Sequence, residues 1–137
     1  MMRYVMDACA ILALLRDEPG ADKVADILNA ANKGNATIVM HKANLLEVYY
    51  DLLRTHGKEK ANIILSEIKK RPIEIISEIS DELFTEAGRL KATYKMSFAD
   101  SFALAQAVVS DGALLTSDHH EFDVIEGKEK INFAWVR

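Results

Sequence analysis

The chain of 137 residues is long enough to bury one hydrophobic core, and its composition, half hydrophobic and 28% charged, is that of an ordinary globular protein. The single cysteine, Cys9, excludes an intrachain disulfide, and the apolar N-terminal stretch, which Asp7 interrupts, is too short to span a membrane and lacks a signal-peptide layout. These features predict a single domain over residues 1–137 in the cytoplasm, and the formal net charge of −4 disfavours binding to nucleic acid unless a bound cation reverses the sign around a group of acids.

The first half of the chain alternates short β-branched runs with longer helical patterns. In chain order, these patterns predict a strand over residues 3–6, helices over 8–16 and 21–32, a strand over 37–40 and a helix over 42–56. Gly34 and Gly57 each follow a predicted helix, at the position where glycine commonly ends one.

The second half continues the alternation. Its patterns predict helices over residues 58–70, 80–94 and 97–110, and strands over 73–76, 113–116 and 131–136. Between the last two strands, His119 and His120 are expected to be exposed in a loop, and residues 121–123 to form a surface turn. The whole pattern predicts an α/β fold, a single-domain three-layer sandwich with a largely parallel sheet of about five strands flanked by helices.

Four acidic residues fall near one edge of the predicted sheet. Asp7 directly follows the first strand, and Asp118 comes two residues after Thr116, at the end of the fourth strand. Glu47 lies early in the helix after the second strand, and Asp100 lies in the first turn of its own helix. If the first, second and fourth strands are neighbours, the four carboxylates face one crevice at the carboxyl edge, where open α/β sheets form their sites.

Carboxylates gathered in one crevice repel one another and stay ionised only when a cation compensates their charge. Oxygen ligands without a set of Cys and His residues favour Mg²⁺ or Mn²⁺ over zinc, and His41 and His56 have no partners at zinc-ligand spacing. Such an ion binds phosphate and activates water, so the chemistry that this pattern favours is phosphodiester hydrolysis.

Each acid also has a purely structural explanation. Asp7 is a good N-cap for the helix that follows it, and Asp118 could cap a turn. The segment from Ser97 to Asp100 resembles a capping box, and Glu47 could be a solvated helix residue. The joint pattern is what favours a site, and Asp100 is its most telling member because apolar residues surround it and a buried carboxylate needs partners.

Four short motifs resemble those of the PIN-domain family. They are Asp7-Ala8-Cys9-Ala10-Ile11-Leu12, Asn44-Leu45-Leu46-Glu47-Val48, Ser97-Phe98-Ala99-Asp100-Ser101-Phe102-Ala103-Leu104-Ala105, and Leu114-Leu115-Thr116-Ser117-Asp118 followed by Phe122. Each motif alone is weak, but all four occur in order and with typical spacing over essentially the whole chain. The compact length most resembles the VapC-type ribonuclease toxins of VapBC toxin–antitoxin modules.

This resemblance implies a Mg²⁺- or Mn²⁺-dependent endoribonuclease that is active as a homodimer and is silenced by a cognate antitoxin protein. Asp7 and Asp100 would be the primary metal ligands, with Glu47 and Asp118 completing the acidic site and Thr116 orienting a ligand or water. Cys9 departs from the pattern, because the family often has a small hydroxyl residue there.

Other functions fit the same scaffold. A non-catalytic module that binds RNA or protein and a metal-dependent DNA nuclease both stay open, whereas a phosphatase with an aspartyl nucleophile would need an acid at Cys9. The candidate RNA contacts among the basic residues are Lys58 and Lys60, Lys69-Lys70-Arg71, and Arg89, Lys91 and Lys95, although charged runs on helices are more often solvated faces.

Overall fold

The computed structural model describes residues 1–137, which form five strands and seven helices. The strands are β1 (Met2–Met6), β2 (Ala36–His41), β3 (Glu74–Ile76), β4 (Ala113–Thr116) and β5 (Phe133–Trp135). The helices are α1 (Ala8–Leu15), α2 (Ala21–Asn32), α3 (Lys42–His56), α4 (Lys58–Lys69), α5 (Asp81–Thr93), α6 (Phe98–Ser110) and α7 (His119–Glu126). None of these helices is both long and apolar enough to cross a membrane.

The five strands form one parallel sheet in the order β3-β2-β1-β4-β5. β1 is the central strand, and its Val5 pairs with Val39 of β2 on one side and with Leu114 of β4 on the other. The first, second and fourth strands are therefore neighbours, which meets the condition for the four acids to face one crevice, and the predicted α/β fold with a parallel sheet is confirmed. All five carboxyl ends meet at one edge.

The central strand is buried on both faces, as parallel sheets require. Successive side chains of a strand point to opposite faces, and here Val5 and Met6 belong to two different hydrophobic clusters, each with 0% exposure. Met6 packs in the cluster of helices α1 to α4, with Ile11 and Leu52, whereas Val5 packs with residues of α5, α6 and α7 such as Leu104. The molecule is therefore a helix–sheet–helix sandwich.

Serine caps explain why two helices begin one residue later than predicted. The Ser80 hydroxyl accepts a hydrogen bond from the Leu83 N–H at 3.2 Å, and the Ser97 hydroxyl accepts one from the Asp100 N–H at 3.1 Å. Both serines therefore lie just outside their helices, with extended backbone angles, and satisfy an N–H group that has no partner within the helix.

The C-terminal segment packs closely against the start of α2. A Cβ atom at Gly20, whose φ is +100°, would lie 2.7 Å from the carbonyl oxygen of Val136, so only glycine fits here. The Val136 N–H donates to the Thr116 carbonyl oxygen at 3.0 Å, and the Lys23 ammonium donates to the Trp135 carbonyl oxygen at 2.5 Å. The end of β5 is thus held by both α2 and β4.

The predicted loop and surface turn after β4 are wrong, because α7 occupies this segment. The Asp118 side chain caps α7 by accepting a hydrogen bond from the Glu121 N–H at 3.1 Å. Phe122 and Ile125 follow one helical turn apart and are 0% and 1% exposed. Burial of these two side chains stabilises a helix whose other residues are mostly polar.

Candidate functional site

Asp7 is fixed where the carboxyl ends of β1 and β4 lie side by side. Its side chain is the N-cap of α1, and its Oδ1 accepts a hydrogen bond from the Ala10 N–H at 2.9 Å. Its own N–H donates to the Leu115 carbonyl oxygen at 3.3 Å, which extends the pairing of β1 with β4. The residue is only 3% exposed, so its carboxylate is held in a largely dry position.

Thr116 connects Asp7 to Asp118 from a fully buried position. Its hydroxyl oxygen accepts a hydrogen bond from the Asp118 N–H at 3.0 Å, and its hydroxyl group also lowers the pKa of the neighbouring Asp7 carboxyl. Asp118 Oδ1 caps α7, so Asp118 has a structural role. Its negative charge also contributes to the electrostatics of the crevice.

Asn44 links the two helices that carry the remaining acids. Its side-chain amide donates to the Ala99 carbonyl oxygen at 2.9 Å and so ties α3, one turn before Glu47, to α6, one residue before Asp100. Asn44 is 1% exposed, and its Oδ1 has no hydrogen-bond partner. Asn44 was not predicted to have a role of its own, although an amide on an apolar helix face, three residues before a candidate acid, was the available signal.

The electrostatics of the crevice show that the four acids are close enough to interact. Burial is the largest cause that raises the pKa of Asp7 to about 7, and the charges of Asp100 and Asp118 raise it further. Hydrogen bonds from Thr116 and Ala10 oppose this rise. Burial, and then the charges of Asp100 and Asp118, also raise the pKa of Glu47. The four acids that the sequence singled out therefore lie within electrostatic range at this edge of the sheet, although no three of them are close enough to hold an ion directly.

Cys9 borders this group. Burial is the largest cause that raises the pKa of its thiol, and the charges of Asp7, Asp118, Glu47 and Asp100 each raise it further. The Cys9 side chain consequently remains a neutral thiol at neutral pH.

Glu121 is a fifth acid that the sequence analysis assigned to a surface turn. Burial is the largest cause that raises the pKa of Asp100 to about 6, opposed by the hydrogen bonds of Ser97, and the charges of Asp118 and Glu121 add to the rise. Asp123, in the same segment, pairs instead with His119 at 2.8 Å. The unpredicted helix α7 is what turns Glu121 towards Asp100.

The donor set fits a hydrated Mg²⁺ or Mn²⁺ ion better than zinc. The ion pairs of the protein involve other acids, so no Lys or Arg side chain neutralises Asp7, Glu47, Asp100 or Asp118. No three His, Cys, Asp or Glu side chains lie close enough together to hold a metal ion directly, which argues against zinc and leaves an ion that one or two carboxylates and water would bind. Mg²⁺ keeps several of its waters and binds through one or two carboxylates, and an open set of acidic oxygens suits it.

The candidate RNA contacts have different environments. Arg89 donates to Glu86 and to both carboxylate oxygens of Glu129, which ties α5 to the segment after α7. The Lys91 ammonium donates to the Met96 carbonyl oxygen at 2.7 Å. Both residues hold the fold together, whereas Lys95 is exposed beside Asp100.

A parallel sheet in this order, with acidic residues at its carboxyl edge, is the architecture of PIN-like α/β domains. The family model described as PIN domain matches residues 4–128 of the chain. The protein therefore belongs to the PIN domain family.

Solved structures of VapC and VapBC proteins have the same fold. VapBC-1 from nontypeable Haemophilus influenzae is 17% identical with a TM-score of 0.74 over 98% of each chain, and DNA-bound VapBC from Salmonella typhimurium is 12% identical with a TM-score of 0.76 over 100% of each. VapC20 from Mycobacterium tuberculosis, a toxin that cleaves the sarcin-ricin loop, is 12% identical with a TM-score of 0.65 over 88% of this chain and 94% of its own. A comparison with curated protein sequences gives no significant match.

Proposed function

We propose that the protein is a Mg²⁺- or Mn²⁺-dependent endoribonuclease that hydrolyses RNA phosphodiester bonds and is the toxin of a type II toxin–antitoxin pair. The observation that carries this proposal is the crevice of four interacting carboxylates, in which burial raises the pKa of Asp7 to about 7 and no basic side chain compensates the charge. Nuclease activity is typical of the PIN domain family, which supports the same conclusion.

Asp7 and Asp100 would hold the ion, and Glu47 and Asp118 would complete the site. When bound, a divalent cation supplies polarisation of the phosphate and a lowered pKa for the attacking water. The protein contributes fixed geometry: the Ala10 N–H holds one Asp7 oxygen, and the cap of α7 holds one Asp118 oxygen. Preorganised groups of this kind need little rearrangement during the reaction.

The proposed partners follow from the similar structures, several of which are toxin–antitoxin complexes. We expect a cognate antitoxin protein to silence the site, the active form to be a homodimer, and the protein to act in the cytoplasm. Co-purification of an encoded neighbour, followed by measurement of the mass of the free protein in solution, tests the first two expectations.

The test of activity is cleavage of a mixed pool of structured RNAs by the purified protein with Mn²⁺, with EDTA, and with Asp100→Asn in parallel. Asp26→Asn, an exposed acid on α2, is the matched control for loss of one charge. We expect cleavage that EDTA and Asp100→Asn abolish and that Asp26→Asn retains. Equal cleavage by wild type and Asp100→Asn would contradict the proposal, as would wild-type protein that binds these RNAs with metal and never cleaves them.

A further inference from the structure

A cavity of 540 Å³ lies directly beside the acidic crevice, between the α5–α6 connection and α7. Asp100 belongs to both, since it lines the cavity and interacts with the other acids. A molecule bound at the acids could therefore extend into this side cavity without leaving the protein surface. Its volume lies in the range of pockets that hold small organic ligands, roughly 300–1,000 Å³.

The lining of the side cavity has two chemically distinct parts. Tyr94, Met96 and Val124 offer apolar surface. Lys95 and His120 are exposed hydrogen-bond donors, and the Ser97 hydroxyl and the carboxylates of Asp100 and Glu121 complete the polar part of the lining. A flat group with an apolar face and a polar edge matches this division, whereas a purely aliphatic ligand would leave the donors unused.

Hydrogen bonds hold the apolar wall in place. The Tyr94 hydroxyl donates to Glu129 at 2.6 Å, and the Lys91 ammonium donates to the Met96 carbonyl oxygen and lies 4.9 Å from the centre of the Phe98 ring. The wall is therefore preorganised, which reduces the entropy lost on binding.

We propose that the side cavity receives one unpaired nucleotide of the RNA, adjacent to the phosphate that the acidic site holds. This inference rests on the proposed function, because it takes RNA as the ligand of the neighbouring acids. The base packs against the apolar wall, and Lys95 and His120 hydrogen-bond to its edge or to the next phosphate. A base inside a duplex is stacked and paired, so this cavity can receive only a base that is unpaired at that position.

The test uses binding rather than cleavage, with a fluorescently labelled short single-stranded RNA and the same strand annealed to its complement. All measurements contain Ca²⁺ in place of Mn²⁺, so that the unaltered acids keep a divalent ion, and gel electrophoresis checks that the RNA stays intact. Val124→Trp fills the cavity from an exposed position on α7, and Val108→Trp, on an exposed valine of α6 outside the cavity, is its matched control. Fluorescence anisotropy gives the affinity of each protein for each RNA.

We expect Val124→Trp to weaken binding of the single strand about tenfold and to leave binding of the duplex unchanged, since loss of one stacked base has an effect of this size. Val108→Trp should change neither affinity. Lys95→Ala, an exposed substitution that preserves the fold, should weaken binding of the single strand several-fold.

Unaltered single-strand affinity in Val124→Trp and Lys95→Ala would overturn the proposal, and so would equal losses for single strand and duplex. The outcome is separate from that of the nuclease test. If the protein binds the single strand selectively but the wild type cleaves no RNA, the proposed nuclease activity is contradicted and the proposed nucleotide site is supported. If the wild type shows metal-dependent cleavage but both variants bind RNA as the wild type does, the nuclease activity is supported and the nucleotide site is contradicted.

Discussion

At the scale of single residues, Asn44 is where the structure shows most clearly how the acids are spaced. Glu47 and Asp100 lie on different helices, and one buried amide joins those helices through the Ala99 carbonyl oxygen. The amide oxygen has no partner, so the residue has an energetic cost that an apolar side chain of similar size would avoid. We therefore expect the benefit of Asn44 to be that it positions Glu47 and Asp100 relative to each other.

Replacement of Asn44 by Leu tests this role. We expect the free energy of unfolding in urea to change by no more than about 1 kcal/mol, because a donor and an unsatisfied acceptor are lost together. The Mn²⁺ concentration for half-maximal RNA cleavage should rise about tenfold, since a misplaced ligand costs on the order of 1.4 kcal/mol. Asn29→Leu, at an exposed site on α2, is the control. A variant that needs no more Mn²⁺ than wild type would show that Asn44 is only structural.

Asp7 predicts how the metal-free protein responds to pH. Its pKa is raised from 3.8 to about 7, so between these values the folded state binds more protons than the unfolded state. Stability is therefore expected to fall as pH rises through this window and to level off above it. The thermal midpoint in EDTA should be several degrees lower at pH 8 than at pH 5.

Asp7→Asn, which mimics the neutral acid, should flatten this profile and raise the midpoint at pH 8. Asp26→Asn, at an exposed site, should follow the wild-type curve. A wild-type midpoint that is independent of pH in EDTA would contradict the account of Asp7 as a carboxyl group destabilised by burial.

At the scale of elements, α7 marks the limit of what the sequence could predict. The other helices and the strands were predicted to within about two residues, because glycines, caps and long periodic patterns mark their ends. α7 has only eight residues and begins with two histidines, and its two buried side chains, Phe122 and Ile125, are too few to show helical periodicity. The spacing of Asp118 and Glu121, which resembles a capping box, was the one available signal.

The same limit applies to the candidate site. Asp7, Glu47, Asp100 and Asp118 could be proposed because each stands near the end of a strand or the start of a helix. Glu121 could not, since its place depends on a helix that the pattern did not reveal. The pairing of Asn44 with Ala99 spans 55 positions in sequence and depends on packing between helices, which no local pattern encodes.

Substitutions can separate the observed capping of α7 by Asp118 from the role that we propose for its charge in the acidic site. Asp118→Asn keeps a capping side chain and removes the charge, so stability should be retained while RNA cleavage is lost. Asp118→Ala removes both and should lower the free energy of unfolding by about 1 kcal/mol. Ser80→Ala, which removes the cap of α5, should have a similar cost with cleavage intact. Urea unfolding and RNA cleavage measured on all three variants check these expectations; full activity in Asp118→Asn would refute them.

At the scale of the whole molecule, the fold concentrates negative charge at one edge of its sheet. The net charge of −4 understates this, because all four acids lie at the carboxyl edge and raise one another's pKa values or that of Cys9. The hydrophobic clusters on the two faces of the sheet must supply the stability that this arrangement costs.

A divalent cation should relieve this cost. We expect Mn²⁺ to raise the thermal midpoint of the wild-type protein by several degrees at pH 8, where the acids are ionised, and by less at pH 5. Asp7→Asn should lose most of the gain, while Asp26→Asn keeps it. NaCl at the same ionic strength is the control for screening, and an equal rise with NaCl would argue against a specific ion.

The anchoring of the C-terminal segment has a practical consequence for work with this protein. β5 runs parallel to its neighbours, so Trp135 and the residues after it emerge at the same edge as the four acids, where Val136 is held against Gly20 and Thr116. β1 begins at the opposite edge, with Met1 and Met2 exposed. An affinity tag or fluorophore joined after Arg137 would therefore lie next to the acidic crevice and could obstruct it. One joined before Met1 would lie at the opposite edge of the sheet and leave the crevice accessible.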